Sequence, residues 1–142
     1  QRSLFIGLVS EPGRQRYATG DFLVRNLLGL DPDRGTLVVG APLPPNGVVQ
    51  FHLRDAGAAR RELATLLSAA TEDPPTGALL FSCLGRGLGL YGEPDHDTGL
   101  FAERFGAAPL GGFFCNGELG PIGGRTHLHG YTSAFGLFRP GS

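Results

Sequence analysis

Lysine, methionine and tryptophan are absent from the sequence, and cysteine is nearly so. With no lysine, all 12 basic side chains are arginine, the cation that grips a carboxylate through two parallel N–H groups; a G- and C-rich genome produces the same bias. Two cysteines, Cys83 and Cys115, are too few for a disulfide framework in a chain of this size, which points to reduced thiols and a cytoplasmic location. No CxxC spacing is present to start a zinc site. No apolar run approaches the roughly 18–20 residues of a membrane-spanning helix, and no charged-then-apolar leader opens the sequence. An excess of positive charge is missing too. Net charge is −1 and the isoelectric point about 6.5, which removes the electrostatic case for nucleic acid or an anionic membrane surface. The first residue is Gln1 rather than methionine, so a piece of a longer protein is expected.

What remains is enough for a real core. The 142 residues are 41% hydrophobic and 18% charged, a globular balance rather than a disordered one, and the length fits one domain spanning residues 1–142. The 24 glycines and 11 prolines fall between apolar segments and read as turns. Ser3 to Ser10 (SLFIGLVS) reads as a strand ended by Glu11-Pro12-Gly13. A second strand, Phe22 to Leu28, places Arg25 on the face of Leu23 and Leu27, where a charge needs a partner or a route to water. Thr36 to Val39 reads as a third. Val48 to Leu53 alternates, with Val49, Phe51 and Leu53 on one face and Gln50 and His52 toward solvent.

Asp55 can cap a helix over 56–70 whose apolar stripe is Ala59, Leu63, Leu66, Leu67 and Ala70, leaving Arg60 and Arg61 solvated. Thr71 to Thr76 (TEDPPT) ends it, since Pro74 and Pro75 cannot continue a helix. Gly77 to Leu84 follows as a strand buried on both faces. Strand 48–53, helix 56–70 and strand 77–84 then make a βαβ unit. Asp97 reads as the cap of a second helix carrying Leu100, Phe101 and Phe105 and stopped by Gly106. Gly111 to Cys115 is a short strand, Asn116 to Gly124 a glycine-rich turn, and Thr126 to Phe138 one long strand bent at Gly130 or Gly136. The expected fold class is α+β: a mixed, largely antiparallel sheet of about seven strands, two helices and one βαβ unit.

Four groups of residues have the makings of a site. Gly87-Leu88-Gly89-Leu90-Tyr91-Gly92 matches GxGxxG after a strand, but Glu93-Pro94-Asp95 follows where a dinucleotide fold needs a helix. The amides of Gly85 to Gly89 form instead a nest for an anion, with Arg86 beside them to clasp a carboxylate. His127 and His129 share one strand face and can begin a metal or haem site. Cys115, at a strand end, has the makings of a thiol nucleophile or of a small packed apolar residue. Glu118 lies among Gly117, Gly120, Gly123 and Gly124, where the backbone admits a close ligand and a carboxylate can pair with an ammonium.

Taken together, DFLVRNLLGLDPDRGTLVVG (21–40), GALLFSCLGRG (77–87) and GGFFCNGELGPIGGRTHLHGYTSAFGLF (111–138) resemble the C-terminal half of the FIST domain, the family named for F-box and intracellular signal transduction proteins. The FFCNGELGPIGG stretch is long and unusual, and the resemblance runs from about Leu4 to Phe138. It implies an intracellular sensory module, not an enzyme, that binds small molecules, amino acids in particular; some members resemble haem-containing nitric-oxide sensors. Its motif positions fall here on Arg25, Cys83, Gly85, Arg86, Gly87, Phe114, Cys115, Asn116, Gly117, Glu118, Gly120, Gly124, Thr126, His129 and Gly130, and no catalytic residue is carried across. The chain departs from the usual architecture in having neither the N-terminal FIST half nor an output domain, which are the expected partners in the parent protein.

The site expected from residues and resemblance together places a ligand carboxylate on Arg86 and the amides around Gly87, and an amine on Glu118 and Asn116. Cys83, Phe114 and Cys115 wall it, and Thr126 and His129 complete it, with His129 lending a hydrogen bond. No cofactor or metal is expected, and neither nucleic acid nor membrane is an expected partner. The alternatives are a haem- or metal-binding gas sensor using His127 and His129, a thiol enzyme using Cys115, and a protein-interaction module without a ligand.

Overall fold

In a computed structural model the described residues are 4–9, 13–18, 20–70 and 73–140. The expected strand ends Ser3 and Ser10, the turn residues Glu11 and Pro12, and Thr71 and Glu72 of the helix-ending stretch lie outside them. The chain forms two compact units, Gln1–Arg54 with Leu119–Gly130, and Asp55–Glu118 with Tyr131–Ser142. The secondary structure is α+β and mostly strand, with nine strands and three helices among the described residues.

The first unit holds β1 (Leu4–Val9), β2 (Phe22–Asp31), β3 (Thr36–Val39) and β4 (Val49–Leu53), an antiparallel sheet in the order β3-β2-β1-β4. As the central strand, β1 buries adjacent residues, Phe5 and Ile6, on opposite faces. Ile6 lies opposite both Arg25 and Phe51, so these three share one face. The alternation expected for β4 does not appear in its burial: Val49, Gln50, Phe51 and Leu53 are all exposed, and His52, expected toward solvent, is the partly buried residue. Phe51 is 58% and Leu53 59% exposed, while His52 is half-buried with its ring 4.9 Å from that of Phe22. Gly7 is the reason: a Cβ there would come within 2.4 Å of His52 Nε2, so the missing side chain is the space that the imidazole fills.

The same unit contains, from Leu119 onward, the hairpin of β7 (Glu118–Ile122) and β8 (Arg125–His129), where the sequence suggested a turn followed by one long strand. Gly123 and Gly124, both at positive φ, make the hairpin turn shorter than the glycine count implied. The long strand breaks after His129, where Tyr131 sits at φ 66°, a left-handed conformation outside the strand region.

The second unit contains α1 (Ala56–Ala70), β5 (Gly77–Cys83), α2 (Leu88–Tyr91), α3 (His96–Phe105), β6 (Leu110–Cys115) and β9 (Ser133–Phe138). Asp55 caps α1 as expected, its Oδ1 accepting from the Ala58 N–H at 2.6 Å. Leu63 and Leu67 of α1 pack with Ala78, Phe101 and Phe105 in the core; each buried leucine contributes roughly 2 kcal/mol. Arg60, on the outer face, pairs with Glu93.

The sheet order is β6-β5-β9, with β5 parallel to β6 and antiparallel to β9. The parallel crossover therefore runs from β5 through α2 and α3 to β6. It does not run from β4 through α1 to β5, because β4 and β5 belong to different sheets. The continuous apolar run marks β5 as a strand, but not one buried on both faces: Ala78, Leu80 and Ser82 are buried, whereas Leu79 on the other face is exposed, and periodicity cannot say which neighbour the strand pairs with. Gly112 makes the parallel pair close. It lies at φ 152°, and a Cβ there would stand 1.9 Å from the Leu80 carbonyl oxygen, so no other residue fits.

Candidate functional site

In register, Cys83 at the end of β5 lies opposite Cys115 at the end of β6. Outside the carboxyl ends of parallel strands an α/β arrangement leaves room for a ligand, and a cavity of about 530 Å³ opens there. Leu80, Ser82, Leu84, Arg86, Gly87 and Leu88 line it from β5 and the segment beyond; Pro94 to Thr98 line it from the start of α3; Leu110 to Phe114 line it from β6. Most of these side chains are apolar.

The buried polar part is a network around Asp97. Arg86 donates to it twice, from Nε to Oδ2 at 2.7 Å and from Nη2 to Oδ1 at 3.0 Å, and both residues are less than a tenth exposed. Ser133 Oγ donates to Oδ2 at 2.5 Å, and Ser82 Oγ lies 3.3 Å from the same oxygen. Arg86 also donates to the Tyr91 hydroxyl at 2.5 Å and to the Tyr131 carbonyl at 3.4 Å. Burial by itself would raise the Asp97 pKa, but the hydrogen bonds from Arg86, Ser133 and His96 and the guanidinium charge hold it well below the usual carboxylate range. Burial likewise opposes the Arg86 charge, and Asp97 outweighs it, leaving the guanidinium pKa raised.

Asp97 was expected as the cap of α3. The cap position is Asp95, left-handed at φ 56° and making no side-chain capping bond. Asp97 stands in the first turn with its carboxylate given to Arg86, because a buried guanidinium demands a counter-charge more strongly than helix amides demand a cap. His96 Nδ1 lies 3.0 Å from Asp97 Oδ1. Since the ionised carboxylate only accepts, Nδ1 carries the proton, and in the neutral ring Nε2 is an acceptor. That Nε2 is buried with no partner. The His96 ring stacks on Tyr91 at 3.5 Å between centroids.

The other expected site residues are distributed as follows. Gly87, at φ 60°, and Phe114, 59% exposed, both line the cavity. Cys83 is buried, with its Sγ accepting from the Gly85 N–H at 3.5 Å. Glu118 is 2% exposed. Its Oε1 accepts from the Gly117 N–H at 3.2 Å and from the Cys115 thiol at 3.4 Å. Its Oε2 accepts from the Thr132 N–H at 3.3 Å and the Thr132 hydroxyl at 3.0 Å. All four donors belong to the chain itself. Burial, then the hydrogen bond and charge of Glu118, push the Cys115 thiol pKa up, the opposite of the depression that a thiol nucleophile requires. Asn116 is exposed.

Thr126 and His129 lie on β8 in the first unit. Thr126 is exposed, and His129 Nε2 is 2.9 Å from the Gly120 carbonyl oxygen. His127 and His129 face each other edge-on at 6.3 Å, and among the described residues no three His, Cys, Asp or Glu side chains gather in a metal-binding group. Sequence reasoning missed His96, Tyr91, Thr132 and Ser133. The available signal was a basic residue at the end of a buried strand, followed within one helix start by an acid that could neutralise it.

Comparison with known proteins is consistent along the chain. The family model of the FIST C domain matches residues 1–121. The chain is 41% identical over 140 residues to the uncharacterized protein Rv0628c of Mycobacterium tuberculosis, covering 96% of this chain and 37% of that protein. It is 41% identical over 138 residues to the uncharacterized protein Mb0898c of Mycobacterium bovis, covering 95% of this chain and 36% of the relative. An F-box/LRR-repeat protein of Arabidopsis thaliana is 28% identical over 131 residues, 82% of this chain and 24% of the plant protein. The chain thus spans little more than a third of the mycobacterial relatives it matches.

Proposed function

The chain belongs to the FIST C domain family, a family of signal-transduction sensory modules, and from that premise we propose that it is the ligand-binding part of an intracellular sensor and not an enzyme. Its ligands are amino acids or similar small molecules, and its partners are an N-terminal FIST half and an output domain of the parent protein. The observation that carries this reading is the cavity of about 530 Å³ beyond the carboxyl ends of β5 and β6, within the roughly 300–1,000 Å³ of small-molecule sites. Its walls are largely apolar, with a buried, hydrogen-bonded cluster around Asp97 and the exposed Asp95 and Thr98 as the polar part. Arg86, Gly87 and Phe114 wall it directly, and Cys83, Cys115, Asn116 and Glu118 belong to the adjoining strand ends. The raised Cys115 pKa supports the sensor over the thiol enzyme.

A thermal-shift screen against the amino acids tests this. A ligand at a hundredfold excess over its dissociation constant adds about 2.7 kcal/mol of stability, seen as a clear rise in melting temperature. A flat screen with a Soret band in the same sample would transfer the reading to a haem sensor; a flat screen without colour would sink the amino-acid class.

A further inference from the structure

Cys83 ends β5 and Cys115 ends β6, and the parallel register sets the two residues directly opposite each other. Both are free thiols. Neighbouring strands lie about 4.8 Å apart, so two residues in register have their Cα atoms within the roughly 4.4–6.8 Å that a disulfide spans. Residues in register on adjacent strands also point their side chains to the same face. The Cys115 side chain leans toward β5: its Sγ lies 3.6 Å from the carbonyl oxygen of Ser82, the residue that precedes Cys83. Backbone alternation puts Cys83 on the face away from Leu80 and Ser82, which line the cavity, and neither cysteine lines it. The two thiols are therefore separate from the ligand site, although they stand on the same strand ends. Their exposure is unequal. Cys83 is buried and its Sγ accepts from the Gly85 N–H, whereas Cys115 is partly exposed. That is the asymmetry of one thiol that meets an oxidant and a second that can only meet the first.

We infer that Cys83 and Cys115 are a reversible oxidation site for low-molecular-weight disulfides, with Cys115 as the attacking thiol and Cys83 as the resolving one. In the first step the Cys115 sulfur gives up its proton and bonds one sulfur of the oxidant RSSR; the oxidant's S–S bond breaks, and the other half takes the proton and leaves as RSH. In the second, the Cys83 sulfur gives up its proton, bonds the Cys115 sulfur and displaces the second RSH. The cysteine pair is oxidised by two electrons and RSSR is reduced to two RSH. Glu118, whose Oε1 already accepts from the Cys115 thiol at 3.4 Å, stands beside the first departing proton. The raised Cys115 pKa makes the attack slow at neutral pH, because the thiolate is the nucleophile. Whether the pair is oxidised at equilibrium is a separate matter, set by its reduction potential against that of its surroundings. Closing the bridge takes the thiol hydrogen from Glu118 Oε1, which keeps the Gly117 N–H as donor. It also ties together the strand ends from which Leu84, Arg86 and Phe114 reach the cavity.

The test incubates the folded chain at mildly alkaline pH with an excess of bis(2-hydroxyethyl) disulfide and follows its intact mass after acid quenching. The native chain should lose two hydrogens and retain no adduct, and an excess of 2-mercaptoethanol, without denaturant, should restore them. Cys83→Ser, whose hydroxyl still accepts from the Gly85 N–H, should stop at a single mercaptoethanol adduct on Cys115. Cys115→Ser, which keeps a donor for Glu118, should react roughly tenfold more slowly than Cys83→Ser, since its remaining thiol is buried. The mass of the native chain answers by itself should either variant fail to fold. The inference is overturned if the native chain halts at the single adduct, if it stays reduced under conditions that bridge the urea-unfolded chain, or if its bridge yields to thiol only after unfolding. The amino-acid sensor reading is untouched by any of these results.

Discussion

Arg25 on β2 of the first unit and Arg86 in the turn that follows β5 in the second both have apolar neighbours in sequence, and the chain accommodates them in opposite ways. Arg25 is half-buried and its Nη1 donates to the neighbouring Val24 carbonyl at 3.0 Å, with burial lowering its pKa. Arg86 is enclosed with a full counter-ion and its pKa is raised. One arginine keeps a route to water along its aliphatic stem; the other is desolvated and survives only through Asp97. A charge left at a sheet surface is a tolerated feature, whereas a charge closed inside a polar cluster becomes a structural dependency.

Replacing Asp97 breaks this contrast most severely. Asp97→Asn leaves Arg86 buried without a counter-charge and is expected to destabilise the chain by about 3–5 kcal/mol, measured by urea unfolding at pH 7. An acid titration sharpens the point. The folded Asp97 pKa is depressed, so its contribution is complete above the unfolded carboxyl value of about 4 and is lost as pH falls below it. Stability of the native chain should drop through that range, and Asp97→Asn should show a shallower drop. Glu118→Gln is the intermediate case. An NH₂ group then faces donors from Thr132 or from Gly117 and Cys115, at a loss of about 2 kcal/mol read as a lower urea midpoint. Arg25→Met should change stability by less than about 1 kcal/mol in either direction; a loss as large as that of Asp97→Asn would show that Arg25 is also a paired charge.

Much of this was legible in the sequence where a local rule decides the outcome. Asp55 before a Leu63 and Leu67 stripe defines α1, and the apolar run from Gly77 defines β5. Legibility stops where the deciding partner is distant. Asp97 has every local property of a cap, and only Arg86, 11 residues away, assigns it otherwise. His52 has every property of an outward strand residue until Gly7 on β1 makes room for it. Glu118 looked like a turn acid open to ligand, whereas the closing donors, those of Thr132, come from 14 residues further on. Arg86, Gly87 and Phe114, singled out in the sequence, line the cavity beyond β5 and β6. Nothing in the local sequence marks the contact of His96 with Asp97, whose carboxylate is held by Arg86.

α3 joins two kinds of packing along one rigid rod. With 10 residues and about 1.5 Å of rise per residue, it is roughly 15 Å long. Its first turn is pinned by the Asp97 ion pair, and its far end drives Phe101 and Phe105, 1% and 3% exposed, into the core with Leu63 and Leu67 of α1. Close-packed side chains have little room to give, so the rod cannot tilt at its cavity end without pressing on α1 at the other. In mechanical terms the cavity is at the tip of a stiff lever whose fulcrum is an ion pair and whose load is the core.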